Sequence, residues 1–210
     1  MVVTVSTGVG LPGPRRPLGS GERIRHWYEN ELGWPTAPGP RPRLVVGVRF
    51  DVLDMPAEAG HAALAHFGRA GDAPAFPVAA QGGRLRLLVA AGSAQELPGL
   101  LDWLEWGGLP LDLAAIGAGA LMDAPPPPGH RPSGAPRACP DRETSPGAAV
   151  WLRPPEPGRE VESSLPTLSA MGGRRRSVDL ARLVNTVATQ CHRVRLRRAC
   201  AGTAGSPRVP

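Results

Sequence analysis

What can pack in this chain is decided first by where proline and glycine fall. They supply 26 and 27 of the 210 residues, and they cluster. Residues 1–21 contain Pro12-Gly-Pro-Arg-Arg-Pro and Gly19-Ser-Gly, residues 125–147 open on four consecutive prolines, and residues 199–210 are small and polar. Segments of that kind cannot bury enough apolar surface to offset the entropy of ordering them. An N-terminal arm over 1–21, an insertion over 125–147 and a tail over 199–210 are therefore expected to be disordered. Residues 22–198, less the insertion, are left to build one core.

Between the breaks, apolar periodicity names the elements. Ile24, Trp27, Tyr28 and Leu32 follow helical spacing, with Gly33 as the stop. Leu44 to Leu53 is β-branched and apolar enough to form one buried strand, central in its sheet. Pro56 opens a helix through Ala63 and Phe67. Phe76–Ala80 and Arg84–Ala90 flank Gly82-Gly83, a two-residue hairpin signal. Ser93 with Glu96 makes a capping-box pattern, and Leu97, Leu100, Leu101 and Leu104 form the core face of the helix behind it. Trp103 inside that helix reads as a core residue rather than a base-stacking platform, as do Trp34, Trp106 and Trp151. Leu109 to Met122 reads as strand, Gly-rich turn and strand, and Val150-Trp-Leu as a further short strand. Leu180, Leu183, Val184, Val187, Cys191 and Val194 line a last helix of about five turns. The expected fold class is α/β (α+β), a mixed β-sheet packed with helices.

Charge is unevenly placed. All 24 basic residues are arginine, a pattern that, with abundant Ala, Gly and Pro, points to a GC-rich coding bias. From Leu44 to Pro125 four arginines face nine acids, a net of −5, so the rest of the chain carries +11 of the total of +6. A phosphate-binding groove is expected on folded, basic surface, and the most foldable stretch is acidic. The eight arginines between 174 and 198 bracket the last helix; Arg193 to Arg198 suit either its C-terminal dipole or a nucleic-acid contact. Three cysteines without CxxC spacing and five histidines without HxxxH or HxH pairing suggest neither a disulfide framework nor a zinc motif. The first residues lack a secretory pattern and no run reaches about 18 apolar residues, so a reducing, cytoplasmic setting without a membrane partner is expected.

In order along the chain stand Tyr28-Glu-Asn-Glu-Leu-Gly-Trp-Pro, Phe50-Asp-Val-Leu-Asp-Met-Pro-Ala-Glu-Ala-Gly, Gly82-Gly83 before a strand, Leu111-Asp-Leu, Asp123-Ala-Pro-Pro and Trp151-Leu-Arg-Pro-Pro. Together they resemble the N-terminal domain of the bacterial primase-polymerase (prim-pol) family, and within it the short actinobacterial members. The resemblance covers residues 22–198 apart from 125–147. It implies an archaeo-eukaryotic primase type of fold, whose sheet carries acidic metal ligands and whose histidine-bearing strand meets the phosphates of an incoming nucleotide. It further implies Mg²⁺ or Mn²⁺ as cofactor, a nucleotide or nucleic acid as partner and, in an active member, nucleotidyl transfer.

Several residues depart from that pattern. Asp51 and Asp54 stand three apart, where the family has Asp-x-Asp. Side chains two apart on a strand share a face and can hold one metal ion, whereas three apart they point to opposite faces unless a bulge intervenes. Leu85 replaces the histidine of Gly-Gly-x-His, and Asp112 in Leu111-Asp-Leu keeps the third acid. The candidate catalytic residues implied by the resemblance are Asp51, Asp54 and Asp112, with Asp51 and Asp112 as metal ligands. Arg84 and Arg86 share a strand face and are candidates for nucleotide or phosphate binding. Beside these roles, Asp54 fits the entry of the Pro56 helix, and the two arginines fit a solvated hairpin face. The expected function is a degenerate primase-polymerase-like domain, weakly catalytic or inert, that keeps nucleotide or nucleic-acid binding. The alternatives are a non-catalytic structural or regulatory module that binds a protein partner, and a working enzyme with an unorthodox metal site.

Overall fold

The computed structural model describes residues 19–71, 75–129, 147–157, 161–168 and 179–204. Most of the expected arm (1–18), most of the insertion (130–146) and the end of the tail (205–210) lie outside the described residues. In chain order the elements are α1 (Ser20–His26), β1 (Thr36–Ala37), β2 (Arg43–Val45), β3 (Phe50–Pro56), α2 (Ala57–Arg69), β4 (Val78–Gln81), β5 (Arg84–Ala90), α3 (Ser93–Trp103), β6 (Ala114–Ile116), β7 (Leu121–Asp123), β8 (Val150–Arg153) and α4 (Leu180–Ala204). A π-helical turn, Trp27–Glu31, continues α1 and is closed by Gly33 at φ +66°. The α+β class is as expected, but in place of one mixed sheet there are two antiparallel sheets, β6-β3-β5-β4-β8 and β1-β2-β7.

β3 takes the inner position expected of it, paired on both sides, but the apolar run that begins at Leu44 is two strands rather than one. Gly47 breaks it, with φ +90° and its N–H donating to the Phe50 carbonyl at 2.8 Å. A Cβ at Gly47 would lie 2.2 Å from the Ala118 Cα, so the turn closes only on glycine. The Gly82-Gly83 hairpin forms as expected, both residues at positive φ and Gln81 opposite Arg84. β6 and β7 flank the Gly-rich turn but join different sheets, so that turn hands the chain from one sheet to the other.

Strand alternation divides the five-stranded sheet into two faces. Leu53, Met55, Leu85, Leu87 and Val89 are fully buried on one. α2 presses on it so closely that a Cβ at Gly60 would meet Leu85 at 2.3 Å, and α3 and α4 complete the helical side. α4 packs along α2 and α3 through Leu183, Val184, Val187, Cys191 and Val194. The opposite face carries Phe50, Val52, Asp54, Arg84, Arg86 and Leu88 and turns toward the small sheet. There Trp34 packs on Phe50 with ring centroids 4.7 Å apart, and Tyr28 stacks on Trp34.

Two helical expectations are corrected. Leu97 and Leu100 of α3 are buried, whereas Leu101 and Leu104 are half-buried and Trp103 is 73% exposed, so Trp103 is not a core residue. α4 runs to Ala204, past the point at which the tail was expected to begin. Among the described residues no helix is long and apolar enough to cross a membrane.

Candidate functional site

The polar residues between the two sheets form one connected cluster, and the strand register makes it. In the β3–β5 pairing Asp54 stands opposite Arg86 and Pro56 opposite Arg84, which sets the Asp54 carboxylate between two guanidinium groups on one face. Arg84 Nε donates to Asp54 Oδ1 at 2.5 Å, and its Nη1 donates to Asp112 Oδ1 at 2.6 Å. Arg86 Nε donates to Asp54 Oδ2 at 3.0 Å, while its Nη1 donates to Gln81 Oε1. Gln81 Nε2 then donates to Asp123 Oδ2 at 2.6 Å, tying the hairpin end of β4 to β7 of the small sheet. Burial works against the charge on Arg84, but its bonds to Asp112 and Asp54 outweigh it and hold the guanidinium above its ordinary range.

Of the five candidate residues, four converge and one does not. Asp54, Asp112, Arg84 and Arg86 belong to the cluster, and Asp51 lies on the opposite face of β3. There the Asp51 carboxylate accepts the backbone N–H groups of Gly92 at 2.9 Å and Ala94 at 2.8 Å. These are orphan donors at the start of α3, where the N-cap is Gly92 at φ +95° with no side chain of its own to offer. The Ser93/Glu96 capping box is therefore replaced by a carboxylate reaching in from β3, favoured by the positive end of the helix dipole. Asp54 does not cap the following helix either; α2 starts from Pro56 without a side-chain cap. Both arginines are spent on carboxylates and Gln81, which corrects the expectation of a merely solvated hairpin face.

This arrangement does not fit Mg²⁺ or Mn²⁺. Asp51 and Asp112, the two implied ligands, are separated by the sheet's own alternation, and Val52 rather than an acid shares Asp54's face two residues upstream. The carboxylates that do converge are each bridged by arginine or glutamine, and among the described residues no three His, Cys, Asp or Glu side chains group to hold a metal. Leu85, where the resemblance would place a histidine, is fully buried against Gly60. A side chain there faces the helical side, away from Asp54, and the β5 side chains on the cluster side are Arg84 and Arg86.

Gln81 and Asp123 were not among the residues singled out for chemistry. The signal for Gln81 was present: a two-residue turn places its flanking residues opposite one another, so Gln81 must share a face with Arg84. Asp123 had no local signal, because only the pairing of β7 with β2 brings it near β4. No family model, no curated protein and no solved structure matches the chain.

Proposed function

We propose that this chain is a non-catalytic domain on a primase-polymerase-like plan, in which an internal ion-pair cluster stands where metal and nucleotide would bind. It acts as a structural or regulatory module that binds a partner. The observation that carries this reading is Arg84 bridging Asp54 and Asp112 at 2.5 and 2.6 Å. The guanidinium groups that would hold a phosphate are already satisfied by carboxylates of the same chain. A triphosphate would have to displace them and leave Asp54, whose side chain is only 12% exposed, without its counter-charge. The acids that would hold a metal are paired in the same way or, for Asp51, committed to α3. Nucleotidyl transfer depends on ions placed to neutralise charge as it develops, and loosened placement costs orders of magnitude in rate.

The test is primer extension by the whole chain on a DNA template under Mg²⁺ and then Mn²⁺, alongside calorimetry with a nucleoside triphosphate. The expected results are no extension and no binding heat. Robust extension abolished by Asp54→Asn or Asp112→Asn would replace this reading with a working polymerase. Nucleotide binding without extension, lost in an Arg84→Ala, Arg86→Ala pair, would make the domain a nucleotide-binding relic.

A further inference from the structure

The end of α4 carries charge that its packing does not use. Arg193, Arg195, Arg197 and Arg198 fall within six residues, and Leu180–Ala204 contains no Asp or Glu, in a chain that has 18 of them. A coding bias inflates arginine but does not remove acids. Two structural uses for these arginines fail. The helix dipole acts within the last turn, and α4 has no basic residue there, these four arginines lying 6 to 11 residues before Ala204. Internal pairing falls short as well. Glu58 of α2 accepts from Arg197 at 2.9 Å and stands 3.9 Å from Arg198, one carboxylate against two cations. Arg193 and Arg195 have no acidic partner among the described residues.

The shape of this end says what could use it. Val194 is the last buried residue, and the seven that follow, Arg195 to Ala201, are all exposed. On a helix packed tightly along a domain every third or fourth residue would be buried, so the last turns of α4 are solvent-exposed and are reached from the body by Glu58. At about 100° per residue the four guanidinium groups spread over about 200° of its circumference. A flat acidic surface reaches one side of such a rod, whereas a groove with phosphates on both walls meets all four.

We propose that the exposed end of α4 docks on double-stranded DNA, its arginines contacting phosphates on both walls of the major groove. A helix about 10–12 Å across matches a groove about 12 Å wide, and the guanidinium fork suits phosphate oxygens. Cys191 of α4 lies at the Asp112 edge of the Arg84 cluster, but Arg193, Arg195, Arg197 and Arg198 pair with none of its acids, so the inference does not depend on how that cluster is read.

Fluorescence anisotropy of the whole chain with a labelled 20-base-pair duplex, titrated between about 50 and 200 mM salt, tests it. Binding is expected to weaken steeply with salt. Arg193→Gln with Arg195→Gln should weaken it about tenfold or more and lower the salt slope by about 2, at about 1 per phosphate contact. Glu58→Gln, which releases Arg197 and Arg198, should tighten it. Arg41→Gln with Arg43→Gln removes the same charge from the exposed rim of the small sheet and should leave affinity within about twofold; circular dichroism verifies that each variant folds. Affinity and slope unchanged on converting Arg193, Arg195, Arg197 and Arg198 together to glutamine would overturn the proposal. So would an absence of duplex binding at 50 mM salt, or displacement of the duplex by vesicles containing phosphatidylserine.

Discussion

Arg84 and its neighbour Leu85 differ in everything but position: one is held between two carboxylates, the other is packed against a helix. The consequence for Arg84 can be measured. Residues kept for a ligand often strain the empty protein, so removing them stabilises it, whereas residues kept for the fold do the reverse. Arg84→Ala leaves Asp54 largely covered with one guanidinium instead of two, and is expected to lower unfolding stability by about 1–3 kcal/mol in urea melts. A stabilised variant would mark the cluster as a binding site. Cys191 offers a second residue-level test. Burial, then the charge of Asp112, pushes its thiol up to about 11, with Arg84 opposing, and Sγ lies 3.8 Å from the Asp112 carbonyl. Below the ordinary thiol value of 9.0 it is protonated in both folded and unfolded states, and its contribution to stability is complete. As pH rises further the unfolded thiol ionises first, so that contribution is lost between about pH 9 and about pH 11. A Cys191→Ala variant should lack this part of the alkaline decline. Iodoacetamide at pH 8 should modify the exposed Cys200 and spare Cys191, as read by peptide mass spectrometry.

At the scale of elements, α3 depends on a residue outside itself. Asp51 satisfies two of its first N–H groups from 41 and 43 positions upstream, so the helix start is sound only when β3 is in place. Asp51→Ala is expected to cost about 2–4 kcal/mol, and Asp51→Asn, which keeps an acceptor, about 1 kcal/mol or less. Equal losses in thermal melts would show that the charge rather than the hydrogen bonds anchors the helix. The same dependence explains what was legible beforehand. Elements governed by local rules were readable: the Gly82-Gly83 hairpin, the apolar face of α4, and the alternation that sends Asp51 and Asp54 to opposite faces. Features settled by distant partners were not. The approach of Ala118 to Gly47, the capping of α3 by Asp51 and the exposure of Trp103 are of this kind. For the candidate site, the facing of Arg84 and Arg86 with Asp54 was half legible, since a shared face could be read and a shared partner could not.

Across the whole molecule, one buried hydroxyl joins three separated stretches of chain. Tyr28 donates to the Pro125 carbonyl at 2.6 Å and accepts from Trp151 Nε1 at 2.9 Å, bridging 97 and 123 residues. Burial pushes the Tyr28 hydroxyl well above its ordinary range, with the Trp151 bond opposing. Tyr28→Phe strands one acceptor and one donor and is expected to cost about 2–4 kcal/mol, read as a lowered melting temperature with the secondary structure retained.

The pairing of β8 with β4 carries a consequence for the order of events during synthesis. The two strands are joined across a sheet, yet Arg153 is made 72 residues after Gln81. At about 5–20 residues per second, the backbone groups of β4 on that side wait roughly 4–14 s for their partner. For that interval the nascent chain presents an open strand beside others like itself on a polysome, the geometry from which strand exchange begins. The β4 flank is therefore where slowed translation between codons 81 and 153 would divert this chain into intertwined dimers.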